Sequence, residues 1–413
     1  MKNFEYLGML GEMIHSRETL IESRLRDKAF TRKPSMSFAD ALCFMLDMRK
    51  TTIQTRLNMY FDKGGGDPIS QQAFSKLRMN FDHSPFVKMV RKTVKKEYSG
   101  DYELPLWHGF HVFGIDGSFL QLPREDELYK TFGIHGRLPQ CPNAGISVLF
   151  DVLHGWAVDP VITGADMNER HECENHVRRL CEELPHIAKK SIVVMDRGYR
   201  SKNLIAKLTS LGIKFVMRTN SRFTCEVNGA PMGDTTVTHE DGMELRVVKF
   251  SLPNGETETL ITNLCDISES LFPELYALRW GIETAYFKLK RELCVEKFSG
   301  RTTNSVYQDF WASMVLLNAV AVFQKEADTL VSERISSKKN KHSYRARTSD
   351  LIITLRDRFV FAVLCGNPAF ALPEMENVIK SMARSVTPIR PSRSFPRKHR
   401  PFSKTAQNLK SSL

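Results

Sequence analysis

Between His111 and Thr219 the chain runs through an order of elements that few architectures accommodate. Three β-rich runs come first: His111 to Asp116, Ile146 to Leu153 and Trp156 to Thr163, the last two joined by a turn at His154-Gly155. Strands this close in sequence pair as hairpins. A helical pattern follows from about Asn168 to Leu184, then the apolar strand Ser191 to Asp196, a helix from Ser201 to Leu211 stopped by Gly212, and the strand "KFVMRT". Strand, strand, strand, helix, strand, helix, strand predicts an α/β fold, a mixed sheet covered by helices on both faces.

That order is the order of a ribonuclease-H-like fold, predicted here over 106–219 and resumed over 261–325. Between them, 220–260 reads as a β-strand insertion: "RFTCEV", "ELRVVKFSL" and "ETETLIT", with Asn254-Gly255 as a strong hairpin turn. Residues 1–105 read as a helical, basic region and 326–413 as a basic C-terminal region. At 413 residues and 42% apolar content the chain can bury at least one sizeable core and divides into several units.

The formal charge of +12 points to a polyanionic partner, nucleic acid ahead of a membrane surface, with a merely basic enzyme as the bland alternative. The first residues carry scattered charges and no apolar core, unlike a secretory signal. The longest apolar run, "WASMVLLNAVAVF", is too short to span a bilayer and reads as a buried helix, so no membrane partner is expected. Eight dispersed cysteines without a Cys-x-x-Cys argue against zinc modules and disulfides and fit a reducing cytoplasm. His171 and His176, five residues apart, fall on different helix faces and read as surface or packing residues.

"SFADALCFMLDMRK", capped by Ser37, and "SQQAFSKLRMNF", starting at Ser70 after "KGGGDPI", suggest a helix-turn-helix. Its second helix would offer Gln71, Gln72, Ser75, Lys76 and Arg78 to base edges and phosphates; an ordinary helical bundle with a solvated face is the alternative. From Arg384 the chain has many Arg and Lys, four Pro and no acid. This predicts a disordered tail that either clamps DNA phosphates or only solubilises.

The chemistry concentrates at three acids. Asp116 ends one apolar strand in "FGIDGS" and Asp196 another in "IVVMDRGYR". A lone Asp there is ordinarily a turn-former, but two on neighbouring strands are less ordinary. A third acid, Glu283, lies in "LYALRWGIETAYFKLK", Leu275 to Lys290. With Tyr276 at zero and roughly 100° per residue, Arg279, Glu283 and Lys290 fall between roughly 300° and 340°, one polar stripe. Leu275, Leu278, Ile282, Ala285, Tyr286 and Leu289 form the apolar face beside it. Gly281 inside this helix implies a close approach of another backbone or of nucleic acid, or is tolerated for packing. Three converging carboxylates suit Mg²⁺, and two ions about 3.5 to 4 Å apart suit phosphoryl transfer. Arg197, Arg279 and Lys290 would then face the substrate phosphates.

The set "Y" at 276, "R" at 279, "E" at 283 and "K" at 290, with "DGS" at 116, "DRGY" at 196 and "MNERHE" after the third strand, resembles the DDE transposases of the bacterial insertion-sequence-four group. The resemblance spans roughly residues 35 to 320. It implies Asp116, Asp196 and Glu283 as the metal-binding triad for two Mg²⁺, with Mn²⁺ as a substitute. It also implies that Tyr276, Arg279 and Lys290 contact the transposon end. A dimer would hold the inverted repeats of double-stranded DNA and cut first by water, then by attack of the freed 3′-hydroxyl on the flanking strand or target DNA, in a bacterial cytoplasm. Relatives that close a DNA hairpin use aromatic residues of the insertion; this one has no Trp there, only Phe215, Phe223 and Phe250 nearby. A stand-alone nuclease, an inactive copy, or a DNA-binding regulator that cuts nothing are the competing readings.

Overall fold

The computed structural model describes residues 3–31, 35–47, 51–64, 66–99, 104–136, 141–219, 223–239, 242–335, 342–364, 376–377 and 379–389. It forms two compact units, one of Met1–Glu97, Leu120–Asn143 and Lys288–Leu413, the other of Tyr98–Phe119 and Ala144–Phe287.

The second unit is built on an eight-stranded sheet. Its strands are β1 (His111–Gln121), β2 (Asn143–Asp151), β3 (Ala157–Thr163), β4 (Ser191–Met195), β5 (Lys214–Thr219), β6 (Gly233–Thr238), β7 (Glu244–Ser251) and β8 (Thr257–Thr262). They lie in the order β3-β2-β1-β4-β5-β8-β7-β6. β2 and β3 pair antiparallel, whereas β1, β4 and β5 are parallel, because the chain crosses over through a helix before β4 and again before β5. This is the mixed sheet of a ribonuclease-H-like fold. The β-rich stretch predicted as an insertion continues the same sheet: β8 pairs antiparallel with β5, β7 with β8, and β6 with β7. "RFTCEV", predicted as a strand, instead contains a short helix, Cys225–Gly229, started by the Thr224 hydroxyl on the Val227 N–H. A local cap outweighs β-propensity there.

Apolar residues from β1, β4, β5, β7 and β8 make one core with Phe272 and Leu275. The helix Glu169–Glu183 is capped by Asn168, whose Oδ1 accepts from the Arg170 and His171 N–H groups. Buried His176 fixes this helix to the sheet, with Nδ1 2.6 Å from Asp159 Oδ2 and Nε2 3.0 Å from Ser147 Oγ. Arg179 adds a bond to Asp159. His176 is thus a packing residue and His171 an exposed one.

The predicted helix Leu275 to Lys290 is interrupted. It comprises Phe272–Leu278, Trp280–Phe287 and a π-helical turn Lys288–Glu292. At the break, Arg279 N–H donates to Tyr276 O and Ile282 N–H to Arg279 O, i to i−3 bonds that tighten the chain. Its apolar face is buried as expected at Leu275, Ile282, Ala285, Tyr286 and Leu289. Gly281 is explained by packing: a Cβ there would lie 3.1 Å from Val152 Cβ. Gly114 of β1 meets the same Val152 at 3.2 Å, so two glycines let helix and sheet come close.

In the first unit, Ser37 and Asp40 form the capping box of Phe38–Met45, and the Ser70 side chain caps Gln71–Arg78. A third helix, Ile53–Gly64, stands between them where the sequence suggested only a turn. The apolar run from Trp311 belongs to a 33-residue helix, Thr303–Ile335. Its length and composition alone would allow a membrane span, contrary to the expectation from the run itself, but 78% of its apolar window is buried inside the protein, as in a core helix. The predicted helix near Leu351 is present as Thr348–Leu364. The basic tail beyond Ile389 lies outside the described residues.

Candidate active site

β1 and β4 pair in parallel from His111↔Ser191 to Gly114↔Val194, a constant offset of 80 residues. The same offset carries Asp116 onto Asp196, two positions beyond the last pair, and equal parity puts both side chains on one face. Asp196 ends the strand and caps the 3-10 turn Arg197–Tyr199, its Oδ1 accepting from Gly198 N–H at 2.7 Å. Asp116, expected to end its strand, lies inside β1, which runs on to Gln121; its Oδ1 accepts from Gly117 N–H at 3.0 Å, and its carbonyl accepts from the Tyr286 hydroxyl at 2.7 Å. That last bond ties the helix Trp280–Phe287 to β1.

Burial, then the charge of Asp196, push the Asp116 carboxyl up to about 7, with Glu169 adding to the effect and Arg279 opposing it. Glu169 received no role from the sequence, although it stands in "MNERHE" directly after the Asn168 cap. A Cβ on Gly117 would lie 2.4 Å from Glu169 Oε1, and one on Gly198 3.6 Å from its Oε2. The carboxylate therefore lies between the glycines that follow Asp116 and Asp196.

Glu283 is placed on the same unit but is engaged elsewhere, its Oε1 2.7 Å from Arg279 Nη2. Among the described residues no group of three or more His, Cys, Asp or Glu side chains is poised to hold a metal ion. Asp196 and Glu169 lie near Asp116, without the convergence of a closed three-acid set, and Glu283 pairs with Arg279. The donor chemistry fits a hard divalent cation: carboxylates whose repulsion such an ion offsets.

Arg279 is buried against the Tyr276 ring, 5.8 Å from its centroid. Its Nε and the Tyr276 hydroxyl are buried with no hydrogen-bond partner. Unpaired buried donors of this kind are expensive, and an anionic ligand would satisfy both. Arg197 is exposed beside Asp196. Lys290 lies in the first unit, on the π-helical turn, where burial lowers its pKa.

Of the residues proposed to read DNA, Gln71, Gln72, Ser75 and Lys76 are exposed. Arg78 is a correction. It is 2% exposed, and its guanidinium donates to Gln308 Oε1 at 2.8 Å, Ser299 Oγ at 2.7 Å, Asp309 Oδ1 at 3.0 Å and Ser305 O at 3.2 Å. It follows buried Phe74 by one helical turn and so shares the inward face, which leaves no donor face for DNA.

The family model described as "Transposase DDE domain" matches residues 107–319. A probable transposase for insertion sequence element IS5377 of Geobacillus stearothermophilus is 31% identical over 93 residues, 22% of this chain and 23% of that relative. Among solved structures, a piggyBac transposase synaptic complex with hairpin DNA aligns over 90% of this chain and 84% of that one, with 15% identity and a TM-score of 0.48. A Mos1 transposase paired-end complex with left transposon end aligns over 43% of this chain and 61% of that one, with 8% identity and a TM-score of 0.20.

Proposed function

Because the chain belongs to the Transposase DDE domain family, whose model covers residues 107–319, we propose that it is a DNA transposase that cleaves and joins DNA strands at the site around Asp116 and Asp196. The observation that carries the reading is the register of β1 on β4, whose offset of 80 residues extends to Asp116, inside β1, and Asp196, just past the end of β4, while burial and then the charge of Asp196 push the Asp116 carboxyl up to about 7. A structural turn would need neither the pairing nor the repulsion.

Asp116 and Asp196, with Glu283, would hold divalent cations, Mg²⁺ by preference and Mn²⁺ in its place. When bound, such ions activate the attacking oxygen and stabilise the leaving one. Tyr276 and Arg279 take phosphates of the transposon end through the donors that lack protein partners. Arg279 keeps Glu283 until a phosphate occupies its guanidinium, which couples completion of the acid set to DNA binding. Lys290 and Arg197 add positive charge to the DNA contact. Gln71, Gln72 and Lys76 present exposed donors for the inverted repeat, and the pairing of two ends asks for two copies of the chain. The substrates are double-stranded inverted repeats and target DNA, and the pathway is cut-and-paste transposition.

The test is to footprint the purified chain on DNA carrying the gene's own flanks and then add Mg²⁺. Protection at the element's ends followed by cuts at those ends is the expected result. Protection with no cut in either Mg²⁺ or Mn²⁺ would leave a DNA-binding regulator or an inactive copy.

A further inference from the structure

We infer that Glu169 is a further cation-holding carboxylate of this centre, and that Gly117 and Gly198 are glycines in order to admit it. The inference rests on the reading of Asp116 and Asp196 as metal ligands, and adds a residue to it. The helix Glu169–Glu183 is started by Asn168 and locked to β2 and β3 through buried His176, so its first residue has a fixed position. Arg170 next to it donates from Nε to Gly198 O at 3.1 Å, anchoring the helix start to the loop after Asp196. The Glu169 carboxylate then occupies the space a side chain at Gly117 would fill, 2.4 Å from the built Cβ.

A second observation points to a ligand. Tyr199 is 0% exposed, and its hydroxyl has no hydrogen-bond partner. Burial raises its phenol, and the charges of Glu169 and then Asp116 raise it further, so the side chain lies near these two acids. A hydroxyl sealed in the fold without a partner is costly, and the water shell of a bound ion would give it one. The bland alternative is a Glu at the first turn of a helix, placed there for the helix dipole.

Mn²⁺ titration of the full chain, read by the loss of the free-ion paramagnetic signal, separates these. Parent, Glu169→Gln and Asp196→Asn are compared, with melting of each measured in EDTA. Glu169→Gln is expected to weaken Mn²⁺ binding about 10- to 100-fold, the range known for groups that support a metal site, while its melting in EDTA stays equal or rises. Parent-like affinity in Glu169→Gln, with Asp196→Asn impaired, overturns the inference and leaves the function standing. Equal binding by parent and Asp196→Asn overturns both. Should Glu169→Gln not fold, Gly117→Ala keeps the charge but drives the carboxylate aside; it is expected to weaken Mn²⁺ binding, and parent-like binding overturns the inference.

Discussion

Asp116→Asn removes a charge that the metal-free fold carries at a loss. The folded carboxyl titrates near 7 against 3.8 for an unperturbed one. A carboxyl whose folded value is raised contributes its full stability below pH 4, and that contribution is lost as the pH rises through about 7. At pH 8 the difference corresponds to about 4 kcal/mol, at about 1.4 kcal/mol per pH unit. Asn keeps the acceptor for the Gly117 N–H and carries no charge, so the variant escapes this loss. At roughly 2–4 °C per kcal/mol, it should melt about 8–16 °C above the parent at pH 8 in EDTA, and at the parent's temperature at pH 4. Groups remote from Asp116 titrate alike in both chains and drop out of the difference. Saturating Mn²⁺ should reverse the order, since only the parent keeps the ligand. A melting difference that is absent at pH 8, or the same at both pH values, would refute the reasoning.

Arg78→Ala should destabilise the protein by about 3–5 kcal/mol in urea denaturation, because Asp309 and Gln308 lose their buried partner. Lys76→Ala, on the exposed side of the same helix, should leave denaturation unchanged and lower DNA affinity, with the salt slope reduced by about 1. Arg279→Gln takes away the partner of Glu283; calorimetric titration without DNA should show tighter Mn²⁺ binding than in the parent, while filter binding shows weaker attachment to the element's ends.

Much of this could be read from residues in order. The offset of 80 between Asp116 and Asp196 is a sequence quantity, and it turned out to be the register of β1 on β4. Strand and helix order gave the sheet because a turn at His154-Gly155 enforces a hairpin while helices before β4 and β5 enforce parallel pairing. What escaped was set by tertiary contact. A uniform helical wheel placed Arg279 and Glu283 four apart on one stripe, where they can pair, yet could not show that the chain tightens at Arg279. Arg78 has the composition of a DNA contact and the position of a core residue; only its neighbours Gln308 and Asp309, far away in sequence, decide between them. Glu169 was hidden for the same reason, since its nearness to Gly117 joins segments that a reading along the chain treats separately.

If Asp116, Asp196 and Glu283 act together in DNA strand cleavage, each is needed for the cut and none for holding the DNA. The most direct measurement is strand-resolved mapping of cuts on a linear DNA carrying one element end, with Mg²⁺, for the parent and for Asp116→Asn, Asp196→Asn and Glu283→Gln, alongside DNA binding by each. Cuts at the element boundary are expected in the parent, with loss by at least about a thousandfold in every variant and end binding retained by all four chains, because removing members of one catalytic unit is similarly severe for each. Boundary cuts at parent level in any one of the three variants would mean that its acid is not part of the cleaving set.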